Sequence, residues 1–215
     1  MTIGWVVFDL GEVVLARTQR LAELADLLGV DAQRLPAAYA AHRGILDRDS
    51  DPAAYWSAVA ADLERQPPSP ELAQRLDDVD NAGWTVSRPD TVDLIDELHA
   101  AGLGLAVCSN ASSTMGRAVE VLPWAGRIRH FVFSGDLKVL KPEPAIYDAV
   151  LAATGASPQD TVFFDDKQEN VDGARHVGWH AFTFTDADQA RRDLALVGVE
   201  LGPAGHVRKA GQRRS

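Results

Sequence analysis

The sequence predicts an α/β fold in which a doubly wound parallel sheet carries an inserted all-helical subdomain. Five short apolar runs, rich in Val, Phe and Thr, are continuous rather than alternating, as in parallel strands buried on both faces. Helical patterns separate the later runs, and strand, helix, strand repeated in this way implies right-handed crossovers. The interval between the first and second runs is far longer than one crossover helix needs, so it holds an insertion.

Each apolar run is too short for a helix and ends before a polar or turn-forming residue. We therefore predict one strand from each run. The predicted strands cover residues 5–10, 103–109, 130–135, 161–166 and 180–185.

Three segments between the later strands have the signals of helices. Residues 91–102 end on a Gly, residues 142–155 begin with Pro and end on a Gly, and residues 169–178 are a shorter version of the same pattern. These helices would cover the two faces of the sheet.

The inserted interval contains three more helical patterns, at residues 20–30, 52–66 and 71–84, with PPSP breaking between the last two. We predict a core domain from residues 1–14 and 89–201, a helical cap from residues 15–88, and a flexible basic tail at residues 202–215.

Composition excludes several classes of protein. A formal charge of −10 disfavours binding to nucleic acid or an anionic membrane, and 46% hydrophobic residues can fill a core. No apolar stretch reaches the length of a membrane span, and the N-terminus has no secretory-signal pattern. Because the one cysteine, Cys108, cannot form an internal disulfide and reads as a buried strand residue, we expect a cytoplasmic protein. We expect a monomer or a homodimer.

Polar side chains follow the predicted strands where each strand ends. Asp9 ends the first, Ser109 and Asn110 the second, and Asp165 and Asp166 the fourth. The loop after the third strand supplies Lys141, just before a proline. Because ligands bind beyond the carboxyl ends of parallel strands, we expect these groups to converge.

Carboxylates gathered in one crevice need a cation, and oxygen ligands without His or Cys favour Mg²⁺. Lys141 would then neutralise a phosphoryl group, while the Ser109 hydroxyl and the Asn110 amide would donate to its oxygens. Asp9 would be left as the nucleophile, forming an aspartyl-phosphate intermediate.

Four segments, VVFDLGEVV, VCSN, LKPEPAIY and VFFDDKQENVDGA, occur in an order that resembles the haloacid dehalogenase-like (HAD) hydrolase superfamily. The resemblance is to subfamily IA, which has a Rossmann-like core and a helical C1 cap. It implies that Asp9 is the nucleophile, Ser109 and Asn110 bind phosphoryl oxygens, and Lys141 stabilises charge. It also implies that Asp9, Gly11 and Asp166 hold Mg²⁺, with Asp165 beside them and Asn170 ordering the loop.

Gly11 departs from the pattern of the phosphatases in this superfamily. They usually carry a second Asp there, whose side chain protonates the leaving alcohol and whose backbone carbonyl binds the metal. With Gly11 at this position, this chain keeps the carbonyl but lacks the acid. Glu12 is a poor substitute, because successive residues of an extended segment point opposite ways. The chain is similar in this respect to sugar-1-phosphate phosphatases, whose leaving group needs less protonation, and it also resembles the N-terminal phosphatase-like domain of epoxide hydrolases.

The predicted cap offers Tyr39, His42, Arg43 and Asp47 as further candidates. His42 and Arg43 would suit a hydroxylated phosphate ester, with His42 as a proton donor. Trp84 and Trp124 are predicted to be packing residues.

We therefore expect a Mg²⁺-dependent phosphoric monoester hydrolase that acts on a small phosphorylated metabolite, such as a sugar 1-phosphate. Two alternatives stay open. One is a catalytically weak protein that binds a phosphorylated ligand, since Gly11 removes the usual acid. The other is a 2-haloacid dehalogenase, in which the same Asp9 attacks carbon and needs no metal. A phosphoglucomutase is disfavoured because it depends on the missing acid.

Overall fold

A computed structural model of the protein describes residues 2–201 and 207–208. Most of the predicted basic tail at 202–215 lies outside the described residues. The exception is Val207–Arg208, a short strand that pairs antiparallel with Glu200–Leu201. In the described ranges, none of the helices has both the length and the apolar character that crossing a bilayer requires.

Five parallel strands form the main sheet in the order β3-β2-β1-β4-β5, which confirms the predicted fold class. All five predicted strands are present, with shorter bounds than the apolar runs. They are β1 (Trp5–Phe8), β2 (Gly104–Ser109), β3 (His130–Phe133), β4 (Thr161–Asp165) and β5 (His180–Thr183), and the small second sheet adds β6 (Glu200–Leu201) and β7 (Val207–Arg208).

Helices cover both faces of the sheet and fill the predicted cap interval. In chain order they are α1 (Leu21–Leu28), α2 (Leu35–Ala41), α3 (Arg43–Asp49), α4 (Pro52–Asp62), α5 (Pro70–Gly83), α6 (Pro89–Ala100), α7 (Ser113–Val119), α8 (Ser134–Leu137), α9 (Pro144–Thr154), α10 (Gln168–His176) and α11 (Ala187–Leu196). Short 3₁₀ turns lie at Ala125–Arg127 and Pro158–Asp160.

The six helices predicted from the sequence are α1, α4, α5, α6, α9 and α10. The prediction of three cap helices was incomplete, because the interval also contains α2 and α3. These two have seven residues each and begin without a side-chain cap. Too few turns are present for a periodic apolar pattern to stand out.

The core has a layer on each face of the sheet. Val6 and Phe8 of β1 belong to one apolar cluster with residues of α6 and α11, whereas Val7 belongs to the other with residues of α9 and α10. This two-sided burial explains why the strands are continuous apolar runs. A third cluster, built around Tyr55 and Trp56, lies among the helices of the cap interval.

The two connections between the sheet and the predicted cap run side by side. Leu15 and Ser87 form an antiparallel bridge. The Ala16 amide donates to the Val86 carbonyl at 2.8 Å, and the Arg88 amide donates to the Val14 carbonyl at the same distance. The boundaries at residues 14/15 and 88/89 stay a prediction.

Candidate active site at the carboxyl ends of the strands

A cavity of about 320 Å³ opens beyond the carboxyl ends of β1, β2 and β4. Asp9 follows β1, Ser109 is the last residue of β2, and Asp166 follows β4. The lining residues come from the core and from the predicted cap: Asp9, Gly11, Glu12, Arg17, Thr18, Leu21, Pro36, Tyr39, Ala40, Arg43, Asp47, Trp84, Ser109, Asn110, Met115, Lys141, Asp166, Lys167 and Asn170.

Lys141 is buried at the floor of this cavity, and three acceptors hold its ammonium group. The Nζ atom donates to Asp9 Oδ1 at 2.7 Å, to the Cys108 carbonyl at 2.9 Å and to Asp165 Oδ2 at 2.6 Å. Burial acts to lower the pKa of Lys141, but the carboxylates of Asp165 and Asp9 outweigh it and raise that pKa. Lys141 is therefore a fixed positive charge beside Asp9.

Three carboxylates surround that single charge. One oxygen from each of Asp9, Asp165 and Asp166 lies within 4.8 Å of the others. Burial raises the pKa of Asp9, against the lowering effect of Lys141. Burial, then the charges of Asp9 and Asp165, raise the pKa of Asp166 to about 6. The site thus has more negative charge than Lys141 balances, which is the condition a cation would relieve.

Asp165 is held from two sides. Its Oδ1 accepts hydrogen bonds from the Lys167 amide at 2.8 Å and from Asn170 Nδ2 at 2.9 Å, and Asn170 Nδ2 also lies 3.1 Å from Oδ2. Both oxygens are therefore occupied, since Lys141 takes Oδ2. Asp165 fixes Lys141 and the turn into α10, and Asp166 is the carboxylate of the pair that lines the cavity.

Ser109 and Asn110 also line the cavity, but the Asn110 side chain is engaged. Its Nδ2 donates to the Lys141 carbonyl at 3.1 Å, and its Oδ1 accepts from the Lys141 amide at 2.8 Å. This pair of bonds sets the backbone of the loop that carries the lysine. The sequence predicted that the Asn110 amide donates to a phosphoryl group, and in the structure the same amide also holds the backbone of Lys141.

Gly11 faces the ring of Trp84. A Cβ added at Gly11 would lie 3.5 Å from Trp84 Cζ3 and 3.9 Å from Cη2, which is ordinary contact. The indole Nε1 donates to the Tyr39 hydroxyl at 2.9 Å. Trp84 was predicted to be a packing residue, and the structure makes it part of the cavity wall beside Gly11.

The segment after Gly11 is not extended as the sequence analysis assumed. Glu12 has a φ of 60°, and residues 12–14 form a turn. Its carboxylate pairs with the exposed Arg17 at 2.9 Å. Strand alternation therefore does not exclude Glu12, and Glu12 does line the cavity.

A network of buried polar groups forms the wall contributed by the predicted cap. Arg43 Nε donates to Asp47 Oδ1 at 3.1 Å, and Arg43 Nη1 donates to Tyr39 Oη at 3.0 Å and to Asp80 Oδ2 at 2.5 Å. Tyr39 Oη donates to Asp80 Oδ1 at 2.6 Å. Arg43 is thus held by two carboxylates, and its guanidinium is committed to the wall.

His42 lies elsewhere. Its Nε2 is 2.7 Å from Asp62 Oδ2, on α4, and it is absent from the residues that line the cavity in the described chain. It follows α2 directly and precedes α3, so its side chain leaves the helices in a different direction from Tyr39 and Arg43. The structure gives no support for His42 as a proton donor.

Sequence reasoning missed Asp80 and Lys167. Asp80 is fully buried and anchors Arg43 and Tyr39. A signal existed, since Asp77 and Asp80 continue the three- and four-residue spacing of Ala73 and Leu76 along the buried face of α5. Lys167 follows the Asp165–Asp166 pair in the sequence and lines the cavity, but the sequence analysis did not single it out.

This chain is similar to several proteins and solved structures whose names describe phosphatases or haloacid dehalogenase-like enzymes. "Phosphatase MT3486" of Mycobacterium tuberculosis is 29% identical over 158 residues, which is 70% of this chain and 71% of that protein. A HAD family enzyme of Bacteroides thetaiotaomicron, BT-2542, solved with magnesium and inorganic phosphate, matches with a TM-score of 0.66 at 19% identity, over 85% of this chain and 94% of that one.

The L-2-haloacid dehalogenase of Xanthobacter autotrophicus matches with a TM-score of 0.61 at 21% identity, over 95% of this chain and 86% of that one. Likeness at these identities shows the fold alone. The model of the haloacid dehalogenase-like hydrolases matches residues 3–178, which is most of the chain. On the strength of that match and of the fold, the protein belongs to the haloacid dehalogenase-like hydrolase family.

Proposed function

We propose that the protein is a Mg²⁺-dependent phosphatase that hydrolyses a small phosphorylated metabolite through an aspartyl-phosphate on Asp9. The observation that carries this proposal is the convergence of Asp9, Lys141 and Asp166 at one cavity, beside Ser109 and Asn110. A nucleophile, a fixed cation and hydrogen-bond donors are what phosphoryl transfer requires of a protein.

The residues present fit a bound Mg²⁺. Three carboxylates lie together with one ammonium group, and in the described part of the chain no His or Cys side chain belongs to this cluster. Burial first, and then the charges of Asp9 and Asp165, raise the pKa of Asp166. Asp9, Asp166 and the Gly11 carbonyl would hold the ion. When bound, it would neutralise and orient the oxygens of the phosphoryl group.

The protein's own residues then divide the work. Lys141 occupies Asp9 Oδ1, which leaves Oδ2 as the oxygen that attacks phosphorus. Because Lys141 is itself locked by Asp165 and the Cys108 carbonyl, the carboxylate is held in one orientation. The Ser109 hydroxyl and the second hydrogen of the Asn110 amide would donate to the phosphoryl oxygens.

The residues that line the cavity indicate the class of substrate. Trp84, Tyr39 and other residues of the predicted cap line the cavity, and its volume of about 320 Å³ suits a small molecule. Gly11 supplies no acid, which favours leaving groups that need little protonation, such as a sugar 1-phosphate. The similarity to a mycobacterial phosphatase supports phosphate-ester chemistry, and the magnesium and phosphate in BT-2542 support the choice of ion.

Two other functions remain in competition. A 2-haloacid dehalogenase uses the same nucleophile, and one matching structure has that activity in its description. Dehalogenation at carbon has no use for the extra carboxylate of Asp166, so we rank it below phosphatase. A weak binder of phosphorylated ligands would keep the whole site but turn over slowly.

Hydrolysis of p-nitrophenyl phosphate separates these functions, because its phenolate leaves without a proton. We expect turnover with Mg²⁺, loss of turnover in EDTA, and loss in Asp9→Asn, whereas the exposed Asp49→Asn should behave as the wild type. Binding of phosphate without turnover would favour the weak binder. Metal-independent release of chloride from 2-chloropropionate would favour the dehalogenase.

A further inference from the structure

This inference rests on the proposed phosphatase and concerns the proton that an alkyl leaving group requires. An alkoxide is a poor leaving group, and protonation by a positioned acid accelerates its departure by about 10²–10⁴-fold. Gly11 cannot supply that proton. The question is which other group at the cavity could.

Most of the ionisable groups at the cavity are unsuitable. Burial raises the pKa of Tyr39 well above its usual value, and its hydroxyl already donates to Asp80. Neighbouring carboxylates hold the pKa of Arg43 well above its usual value. Lys141 is held by three acceptors. Asp9 and Asp166 are the proposed nucleophile and metal ligand.

Asp47 differs from all of these. It lines the cavity, its residue is 8% exposed, and Arg43 Nε occupies its Oδ1. Among the described residues, none hydrogen-bonds the other oxygen, Oδ2. Arg43 is itself fixed by Asp80 and Tyr39, so the Asp47 carboxyl has one anchored oxygen and one free oxygen.

The backbone of Asp47 is fastened to the sheet domain. Ser134 Oγ donates to the Asp47 carbonyl at 2.6 Å, and the same hydroxyl accepts from the Ala111 amide at 2.9 Å. Ala111 follows Ser109 and Asn110 directly. Asp47 is thus tied, through one side chain, to the loop that would bind the phosphoryl group.

The rest of α3 is fastened to the sheet domain in the same way. The Ser113 amide donates to Ser50 Oγ at 2.9 Å, and Lys138 Nζ donates to the Asp49 carbonyl at 2.7 Å. Asp47 therefore lies in the predicted cap interval of the sequence, but hydrogen bonds hold its helix against the domain that contains the sheet. A proton donor must be held in this way to act.

The environment of Asp47 suits an acid that works near neutral pH. Burial raises its pKa to about 6, against the lowering effects of Arg43 and Lys167, and Asp80 adds a smaller raising effect. The charge of Asp47 also acts on Tyr55 of α4, and Asp9, Lys141 and Asp166 line the same cavity. Asp136 on α8 pairs instead with Arg117 at 2.8 Å.

We propose that Asp47 is the general acid and base of the reaction. As Asp9 Oδ2 bonds to phosphorus, the bond from phosphorus to the leaving oxygen breaks, and that oxygen takes the proton from Asp47 Oδ2. In the second step the Asp47 carboxylate takes a proton from water, whose oxygen attacks phosphorus. The bond to Asp9 then breaks, releasing phosphate and restoring both carboxyl groups.

Glu12 is the rival donor, because it lines the same cavity. Its carboxylate pairs with Arg17 Nε at 2.9 Å, and the Glu12 side chain is 38% exposed, against 11% for that of Asp47. Within the described ranges, no hydrogen bond links the Glu12 side chain to the Ser109–Asn110 loop. The experiment below includes it for direct comparison.

The test compares an alkyl phosphate with p-nitrophenyl phosphate, both with Mg²⁺, in the wild type and in Asp47→Asn, Glu12→Gln and Asp49→Asn. For Asp47→Asn we expect kcat/KM to fall about 10²–10⁴-fold on the alkyl ester and to stay nearly unchanged on the aryl ester. Asp49→Asn, on the same helix, should match the wild type on both. Asn at residue 47 can still accept from Arg43, so a structural role alone would spare both esters or weaken both.

Equal loss on the two esters, or a leaving-group-dependent loss in Glu12→Gln instead, would overturn the inference. If Asp47→Asn fails to fold, the pH dependence of the wild-type enzyme tests the inference. Its ratio of alkyl to aryl kcat/KM should fall as the pH rises through about 6, because the acid form is lost, and a flat ratio would refute the role. Hydrolysis of neither ester by the wild type would overturn the proposed phosphatase, and this inference with it.

Discussion

At the scale of single residues, Asp47 carries a charge where its surroundings disfavour that charge. Its pKa is about 6 in the folded protein and about 3.8 in the unfolded chain. The protonated form therefore stabilises the folded state fully below about pH 3.8, and this contribution is lost as the pH rises through about 6. At neutral pH the ionised side chain costs on the order of 3 kcal/mol.

We predict that Asp47→Asn unfolds at a higher denaturant concentration than the wild type at about pH 7.5, by up to ~3 kcal/mol in free energy. The two proteins should become equally stable near pH 4, where the wild-type carboxyl is protonated. Urea titrations across this pH range measure the difference. A variant less stable than the wild type at neutral pH would mean that the ion pair with Arg43 outweighs burial.

Residue-level prediction brought side chains to the right edge of the sheet where position in a strand sufficed, and their roles stay a prediction. Asp9, Ser109 and Asp166 could be found because parallel strands bring their carboxyl ends to one edge, whatever the rest of the chain does. It failed for His42, because a side chain on a short helix turns 100° for each residue of register. No pattern fixed that register, so His42 could not be told apart from Arg43.

At the scale of elements, Gly135 lets α8 pack closely against residues 111–113 and against Ser50 at the end of α3. A Cβ at this position would lie 2.7 Å from the Ser113 amide nitrogen, 2.9 Å from the Ala111 carbonyl oxygen and 2.5 Å from Ser50 Oγ. Two of these are backbone atoms, which cannot turn aside as a flexible side chain can. Glycine thus permits the contacts that hold Asp47 over the cavity.

We predict that Gly135→Ala lowers the free energy of unfolding by about 1–3 kcal/mol through overpacking. Gly126→Ala is the matched control, since a Cβ there meets nothing within 4 Å, and it should leave stability unchanged. Thermal denaturation of both variants measures this. Equal stability of the two would show that α8 shifts freely, and the positioning of Asp47 would then need another cause.

Most of the helices that were not predicted from the sequence share a physical reason, and the ten-residue α11 is the exception. The strands and the longer helices have apolar periodicity and Pro or Gly signals, which act locally. Helices α2, α3, α7 and α8 have four to seven residues and depend on tertiary contacts, such as those of Ser134 with Asp47. Residues of α2, α3 and α7 line the cavity, so the specificity of the site was the least predictable part.

At the scale of the whole molecule, the site concentrates negative charge within a protein whose formal charge is already −10. Asp9, Asp165 and Asp166 lie together, and Lys141 balances only part of their charge. A dianionic phosphate would be repelled by this field without a bound cation. In the proposed phosphatase, Mg²⁺ would therefore be required for substrate binding as well as for chemistry.

The proposed reaction requires a phosphoryl group bonded to Asp9 during turnover. Rapid acid quench during turnover of a phosphate ester, followed by mass mapping of the peptides, tests it directly. We predict a phosphoryl group on the peptide that contains Asp9, formed only with Mg²⁺ and absent in Asp9→Asn. Turnover at full rate in Asp9→Asn, or a phosphoryl group on another residue, would contradict the account.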